Sequence, residues 1–179
     1  MIQLPTKLQK HAEELEAADE RLTALDEDGL LAAPVDISSM LRNGIVLHER
    51  LKDSQLTLNS RECVVVTGDV EVERLELKGP GGLLVLGDLV VTSAELHASA
   101  VVLGACEVTD RLVGHGEPHT LTVLGEVEGG RFEMQQQFVM QFLGGGKLKS
   151  LHDSEGGVEE LLELLSGAGS ELEIEEADA

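Results

Sequence analysis

The chain has no tryptophan, no tyrosine and only three phenylalanines among 179 residues. Aromatic platforms for stacking bases or sugar rings are therefore missing, and the core must be built from Val, Leu, Ile and Ala. Basic residues are equally scarce. Thirteen Lys and Arg stand against 34 Asp and Glu, a formal charge of −21 that repels phosphate backbones and anionic lipid headgroups. The expectation is of no nucleic-acid partner and no membrane partner. No run of about eighteen apolar residues occurs, and Lys7, Lys10, Glu13, Glu14 and Glu16 fall where a signal peptide needs an apolar stretch. The chain reads as cytoplasmic. Two cysteines, Cys63 and Cys106, are too few for a disulfide framework and lack metal-ligand spacing, so both read as reduced and structural.

What is present is a repeat. Aligning Gly68, Gly87, Gly104 and Gly125 gives intervals of 19, 17 and 21 residues and brings VVVTGDVEVERLEL, LLVLGDLVVTSAEL, AVVLGACEVTDRLV and LTVLGEVEGGRFEM into register. Apolar columns fall four and two residues before the glycine (Val64, Leu83, Ala100, Leu121; Val66, Val85, Val102, Val123). They continue two, four, seven and nine residues after it, beginning in the first copy with Val70, Val72, Leu75 and Leu77. Twenty-two of the twenty-four slots are apolar, the exceptions being Arg111 and Gly129. Alternation with period two marks strands, and a phase shift about five residues after the glycine divides each copy into three short ones. One copy cannot close a core, but copies stacked at about 4.8 Å can. A leucine-rich repeat would need a recurrent Asn, and none occurs in these copies.

The predicted fold is an all-β solenoid: a right-handed parallel β-helix of five to six short coils over residues 44–150, the hand following the rule for parallel crossovers. Residues 1–43 form a helical N-terminal segment or cap. There Leu8, Ala12, Leu15, Ala18, Leu22 and Leu25 make one apolar stripe, opened at Pro5 and closed by Gly29 and Pro34. Residues 151–179 comprise a short helix (Val158, Leu161, Leu162, Leu165) and an acidic tail, Glu171 to Ala179, expected to stay disordered. Residues 151–179 hold ten acids and no base.

The frames VVTGDVEV and LVLGDLVV resemble the short β-helix of bactofilins, bacterial polymer-forming cytoskeletal proteins. The likeness spans about 80 residues, and it implies self-association through coil ends. LVLGDL-type repeats are also similar to acidic β-solenoid immunity proteins encoded beside polymorphic toxins.

Chemistry is hard to find in the sequence. His115-Gly-Glu-Pro-His119 is the one compact group suggesting a metal, but Gly116 and Pro118 deny it a helix and no third ligand is spaced to help, so it reads as a surface loop. His97 reads as solvated. Gly81-Gly82, Gly129-Gly130 and Gly144 to Gly146 lack the Lys-Ser or Lys-Thr of a phosphate loop. No catalytic, cofactor-binding or metal residue is predicted, and no enzymatic activity.

Two surfaces remain. The first strand of each copy is apolar outward as well as inward (Val65, Leu84, Leu86, Val101, Leu103, Leu124), so something must cover it. The N-terminal helix is the expected cover, a partner the alternative. The second strand is acidic: Asp69, Glu71, Asp88, Glu107, Glu126 and Glu128 form a ladder suited to a basic protein partner such as a toxin domain. The functional expectation is an acidic immunity or inhibitor protein neutralising a basic toxin such as a nuclease, with a bactofilin-like scaffold as the rival.

Overall fold

The computed structural model describes residues 3–178. Two parallel sheets are wound from one chain. Six short strands, β1 (Ile45–His48), β3 (Cys63–Val66), β5 (Leu83–Val85), β7 (Ala100–Val102), β9 (Thr120–Val123) and β11 (Val139–Phe142), form one sheet in that order. The long strands β2 (Leu51–Leu58), β4 (Val70–Leu77), β6 (Leu89–Leu96), β8 (Cys106–His115), β10 (Val127–Gln135) and β12 (Gly146–Asp153) form the other, which β13 (Leu172–Asp178) extends. The result is a parallel β-solenoid of six coils. Each long strand holds the second and third runs of the repeat. Along β4, Val70 and Val72 point inward, Glu73 and Arg74 are both exposed at a corner, and Leu75 and Leu77 turn inward again. That corner is the phase shift seen in the sequence.

Stacking is residue on residue. Val66, Val85, Val102 and Val123 lie in one register column and all four are fully buried. The corner glycines have ordinary φ angles and are required by close approach instead. A Cβ on Gly87 would sit 2.6 Å from the Gly68 carbonyl oxygen, and one on Gly68 equally close to that of Glu49. Each glycine N–H donates to the carbonyl one coil back: Gly68 to Glu49 at 2.7 Å, then Gly87 to Gly68, Gly104 to Gly87 and Gly125 to Gly104 at 3.0 Å. The first coil places Glu49 at this corner because no coil lies above it.

Arg111 corrects the sequence alignment. Between Val108 and Arg111 strand β8 carries one residue more than its neighbours, a β-bulge, so Arg111 lies in register with Ser93 and Arg131. Leu112 takes the inward slot with no exposed surface, and Gly114 the next one, where a Cβ would collide with the Phe138 ring. Gly129 remains a true exception, with φ +127°.

The C-terminal tail is a strand rather than a disordered end. Leu172–Asp178 is not disordered but pairs in parallel with β12, setting Leu172 opposite Gly146 and Ile174 opposite Leu148. The unpaired edge of β12 provides the hydrogen bonds, and the Leu172/Ile174 alternation continues the coil face, which together outweigh the acids' repulsion. Ala179, the last residue of that tail, lies outside the described residues.

The N-terminal segment covers the outer face of the short-strand sheet. A 3-10 turn (Thr6–His11) leads into α1 (Ala12–Glu27), burying Leu8, Leu15, Ala18 and Leu22. Arg21 donates to the carbonyls of Leu124 and Leu143 at 3.2 and 2.9 Å, anchoring α1 over the corners of the fifth and sixth coils. The chain then turns: Ala33 N–H donates to Gln141 Oε1, and Gln141 Nε2 to Thr122 Oγ1, a buried relay that satisfies the polar groups under the loop. It returns through α2 (Ile37–Leu41), capped by Asp36, to β1. Beneath it Val65, Leu84 and Val101 are fully buried, so this face belongs to the protein's own core. At the far end α3 (Val158–Gly167) buries Val158, Leu161 and Leu165, and Ser170 Oγ donates to the Phe142 carbonyl.

Candidate functional site

The long-strand sheet presents the acids. Reading across it, the outward column two residues past the corner turn runs Lys52, Glu71, Val90, Glu107, Glu128, Lys147, Glu173. Glu107 and Glu128 are direct neighbours, both exposed, whereas Val90 interrupts the ladder and a lysine stands on either side of it. Lys52 lies 4.0 Å from Glu71, and Lys147 lies 3.7 Å from Glu173. The six predicted residues therefore do not form one even ladder. The acidic density gathers around Glu107, Glu126 and Glu128, and the docking of β13 adds Glu171 and Glu173. Glu126, Glu128, Glu171 and Glu173 line a shallow depression of about 580 Å³ with Lys147 in it. Glu171 and Glu173 are absent from the expected ladder because composition assigns their segment to a tail. The spacing of Leu172 and Ile174 was the signal.

Asp69 and Asp88 have a different task. Asp69 Oδ1 accepts the backbone N–H of Asp88 at 2.7 Å, and Asp88 Oδ1 that of Ala105 at 2.8 Å. Each carboxylate thus satisfies the amide directly below it, one coil on, at a corner where the strands have ended. An aspartate just past the glycine is short enough to reach, which explains the Gly-Asp pair in the first two aligned copies. The fourth copy places Glu126 there, and no hydrogen bond of this kind forms.

A second cluster lies at the end of the long strands. His97 follows β6 and His115 ends β8, eighteen residues apart in sequence and therefore one coil apart in space. Their rings stack with centroids 4.4 Å apart and planes 6° from parallel. Glu95, two residues before His97, brings a carboxylate oxygen 3.9 Å from His115 Nε2. The ligand atoms of Glu95, His97 and His115 all lie within 4.8 Å of one another. Burial, the neighbouring His97 and Arg111 push the His115 pKa down against the pull of Glu95 and Glu133, so its ring is neutral at pH 7. Burial, then His97, lowers that of His119 as well. Sequence spacing around His115 and His119 offered no third ligand; stacking provides two, from the preceding coil. Beside the cluster, Arg111 donates to Glu133 at 2.8 Å, which depresses the Glu133 carboxyl, and Arg131 donates to Asp110 at 3.1 Å.

Cys63 and Cys106 are free and buried, and loss of solvent pushes both thiols up to about 12. Both are held as thiols out of contact with solvent in the folded protein. Among the described residues no helix is long and apolar enough to cross a membrane. No family model, curated protein or solved structure matches the chain at a significant level.

Proposed function

We propose that the protein is a non-enzymatic binding module whose acidic sheet face engages a basic protein. In its most concrete form it is a cytoplasmic immunity protein that neutralises a cationic toxin such as a nuclease. The observation that carries this reading is the convergence of Glu107, Glu126, Glu128, Glu171 and Glu173 on one face of the stacked sheet. The stacked backbone holds these charges at strand spacing before a partner arrives, so binding has to order only the glutamate side chains and not the chain that carries them. The one lysine among them, Lys147, is already beside Glu173. Opposite charge accelerates encounter and would occupy the groove with which a nuclease holds its substrate. The test is kinetic binding to the product of the adjacent reading frame, at low and high salt, of wild type and of a variant with these five glutamates changed to Gln. A slower association and a flatter salt dependence support the reading. Binding indifferent to both salt and substitution refutes it.

A second reading, a bactofilin-like scaffold, draws on the opposite end of the stack. There β1 and β2 are edge strands, and Val46, Leu51 and Leu56 are only half-buried. Such an edge can pair with another copy. Light scattering after size-exclusion chromatography decides: a monomer across the micromolar range removes this reading and leaves the first intact.

A further inference from the structure

We infer that Glu95, His97 and His115 bind one borderline divalent cation, zinc or copper, as a clip between the third and fourth coils. The donor set is two imidazole nitrogens and a carboxylate oxygen, which suits zinc and copper; magnesium and calcium require oxygen-only shells. Nothing in the acidic-face reading bears on this site, which lies at the other end of the long strands.

Three observations carry the inference. The first is convergence: three ligand atoms from two different coils come within 4.8 Å of one another. Tetrahedral ligands at about 2.0–2.2 Å from zinc lie roughly 3.3 Å apart, so the atoms must close by about 1.5 Å at most. Glu95 and His97 are exposed and can make that movement by side-chain rotation, while His115 is held at the strand end. The second is an unmet need. His115 Nε2 is buried without a hydrogen-bond partner, facing a carboxylate at 3.9 Å that is too distant to accept from it. A cation between the two would satisfy both. The third is proximity across the coils. The ring centroids lie 4.4 Å apart, and because two parallel ring planes cannot both aim a lone pair at one ion, the exposed His97 ring rotates out of the stack on binding and brings its nitrogen to the ion held by His115 and Glu95. Arg111, whose charge also feels Glu95, makes its direct ion pair with Glu133 at 2.8 Å. Three protein ligands leave one position for water.

Because the ligands come from successive coils, an ion there would fasten the fourth coil to the third near its bulge. Ligand binding to the folded state alone raises its melting temperature. The experiment is zinc titration calorimetry of the full chain in about 1 mM magnesium, which occupies the diffuse acidic surface, with melting followed in parallel. Copper is then substituted, and its electron paramagnetic resonance spectrum counts the bound nitrogens. The expected result is one zinc per chain, a zinc-dependent rise in melting temperature and a copper spectrum with two nitrogens. His97→Ala and Glu95→Gln, both at exposed positions, should each weaken zinc binding about ten-fold or more. His48→Ala, in the first coil, should leave it unchanged. Should His115→Ala fail to fold, the His97 and Glu95 variants decide alone. No saturable zinc binding up to about 100 µM, or binding that survives His97→Ala undiminished, overturns the inference.

Discussion

Substitution of Gly87 by alanine tests the principle on which the stack is built. Its φ is ordinary, so alanine meets no backbone strain there. The obstacle is the coil above: the new Cβ would lie 2.6 Å from the Gly68 carbonyl oxygen, well inside the ~3.3 Å of even a weak C–H···O contact. The coils must part by about 0.7 Å at that corner, which stretches the Gly87-to-Gly68 hydrogen bond from its 3.0 Å past useful length. The lost bond costs about 1 kcal/mol and the overpacking about 1–3 kcal/mol, against a gain of about 0.4–1 kcal/mol from the stiffer unfolded chain. Asp69 Oδ1 crowds the same Cβ, so its bond to the Asp88 amide is disturbed as well. The net expectation is a loss of about 1–3.6 kcal/mol, or roughly 2–14 °C for a chain of this size. Glu49→Ala is the matched control: it occupies the same corner in the first coil, with no carbonyl above it, and should change stability by less than about 0.5 kcal/mol. Urea denaturation followed by circular dichroism compares the two. Equal midpoints would show that close stacking is not why glycine stands at the corner.

Val85→Asp sets a carboxylate between Val66 and Val102 in a fully buried column and should cost several kcal/mol, about 3–5, whereas Glu107→Lys on the outer face should be nearly silent; equal melting temperatures would mean the inward register is wrong. Asp88→Ala removes the acceptor for the Ala105 amide and should cost about 1 kcal/mol, with faster hydrogen exchange at Ala105, an effect that Glu128→Ala should not reproduce. Deleting residues 1–33 uncovers Leu84, Leu86, Val101 and Leu103 and should produce aggregation or dye binding; a truncated monomer as stable as the full chain would contradict the packing of α1. Both thiols should resist alkylation in the folded protein. Their folded pKa is raised to about 12, so above about pH 9 the unfolded chain sheds protons that the folded chain keeps, and stability falls as pH rises. A Cys63→Ala/Cys106→Ala variant should lose that part of the alkaline decline.

Which residues face inward was legible because a strand's alternation is local: Val64, Val66, Val70 and Val72 announce their face without reference to any other coil. The α1 stripe was legible for the same reason, and so was the need to cover Val65 and Leu84, since apolar residues on both faces of a strand demand two neighbours. What escaped the sequence depended on how one coil lies over the next. The bulge between Val108 and Arg111 moved Arg111 outward, and counting from a glycine cannot see a residue that pairing skips.

The placement of the acids was half legible. Their outward phase follows from period two, but the same phase is shared by Asp69 and Asp88, whose oxygens are taken by amides one coil below, and by Glu128, whose oxygens are not. Composition marked Glu171 to Ala179 as too charged to order. Tertiary structure decided otherwise for Leu172–Asp178, because β12 offers that segment a row of unpaired backbone groups that no composition records. The cluster of Glu95, His97 and His115 was invisible to motif spacing because its members belong to different coils. Eighteen residues of chain become one strand spacing only after the solenoid closes, and distances across that spacing are a property of the stack. Local alternation of apolar and polar residues dictates that strands form, which way their side chains face and that coils must pile on one another. Only the stack decided which polar groups meet, because that depends on register between coils to a single residue.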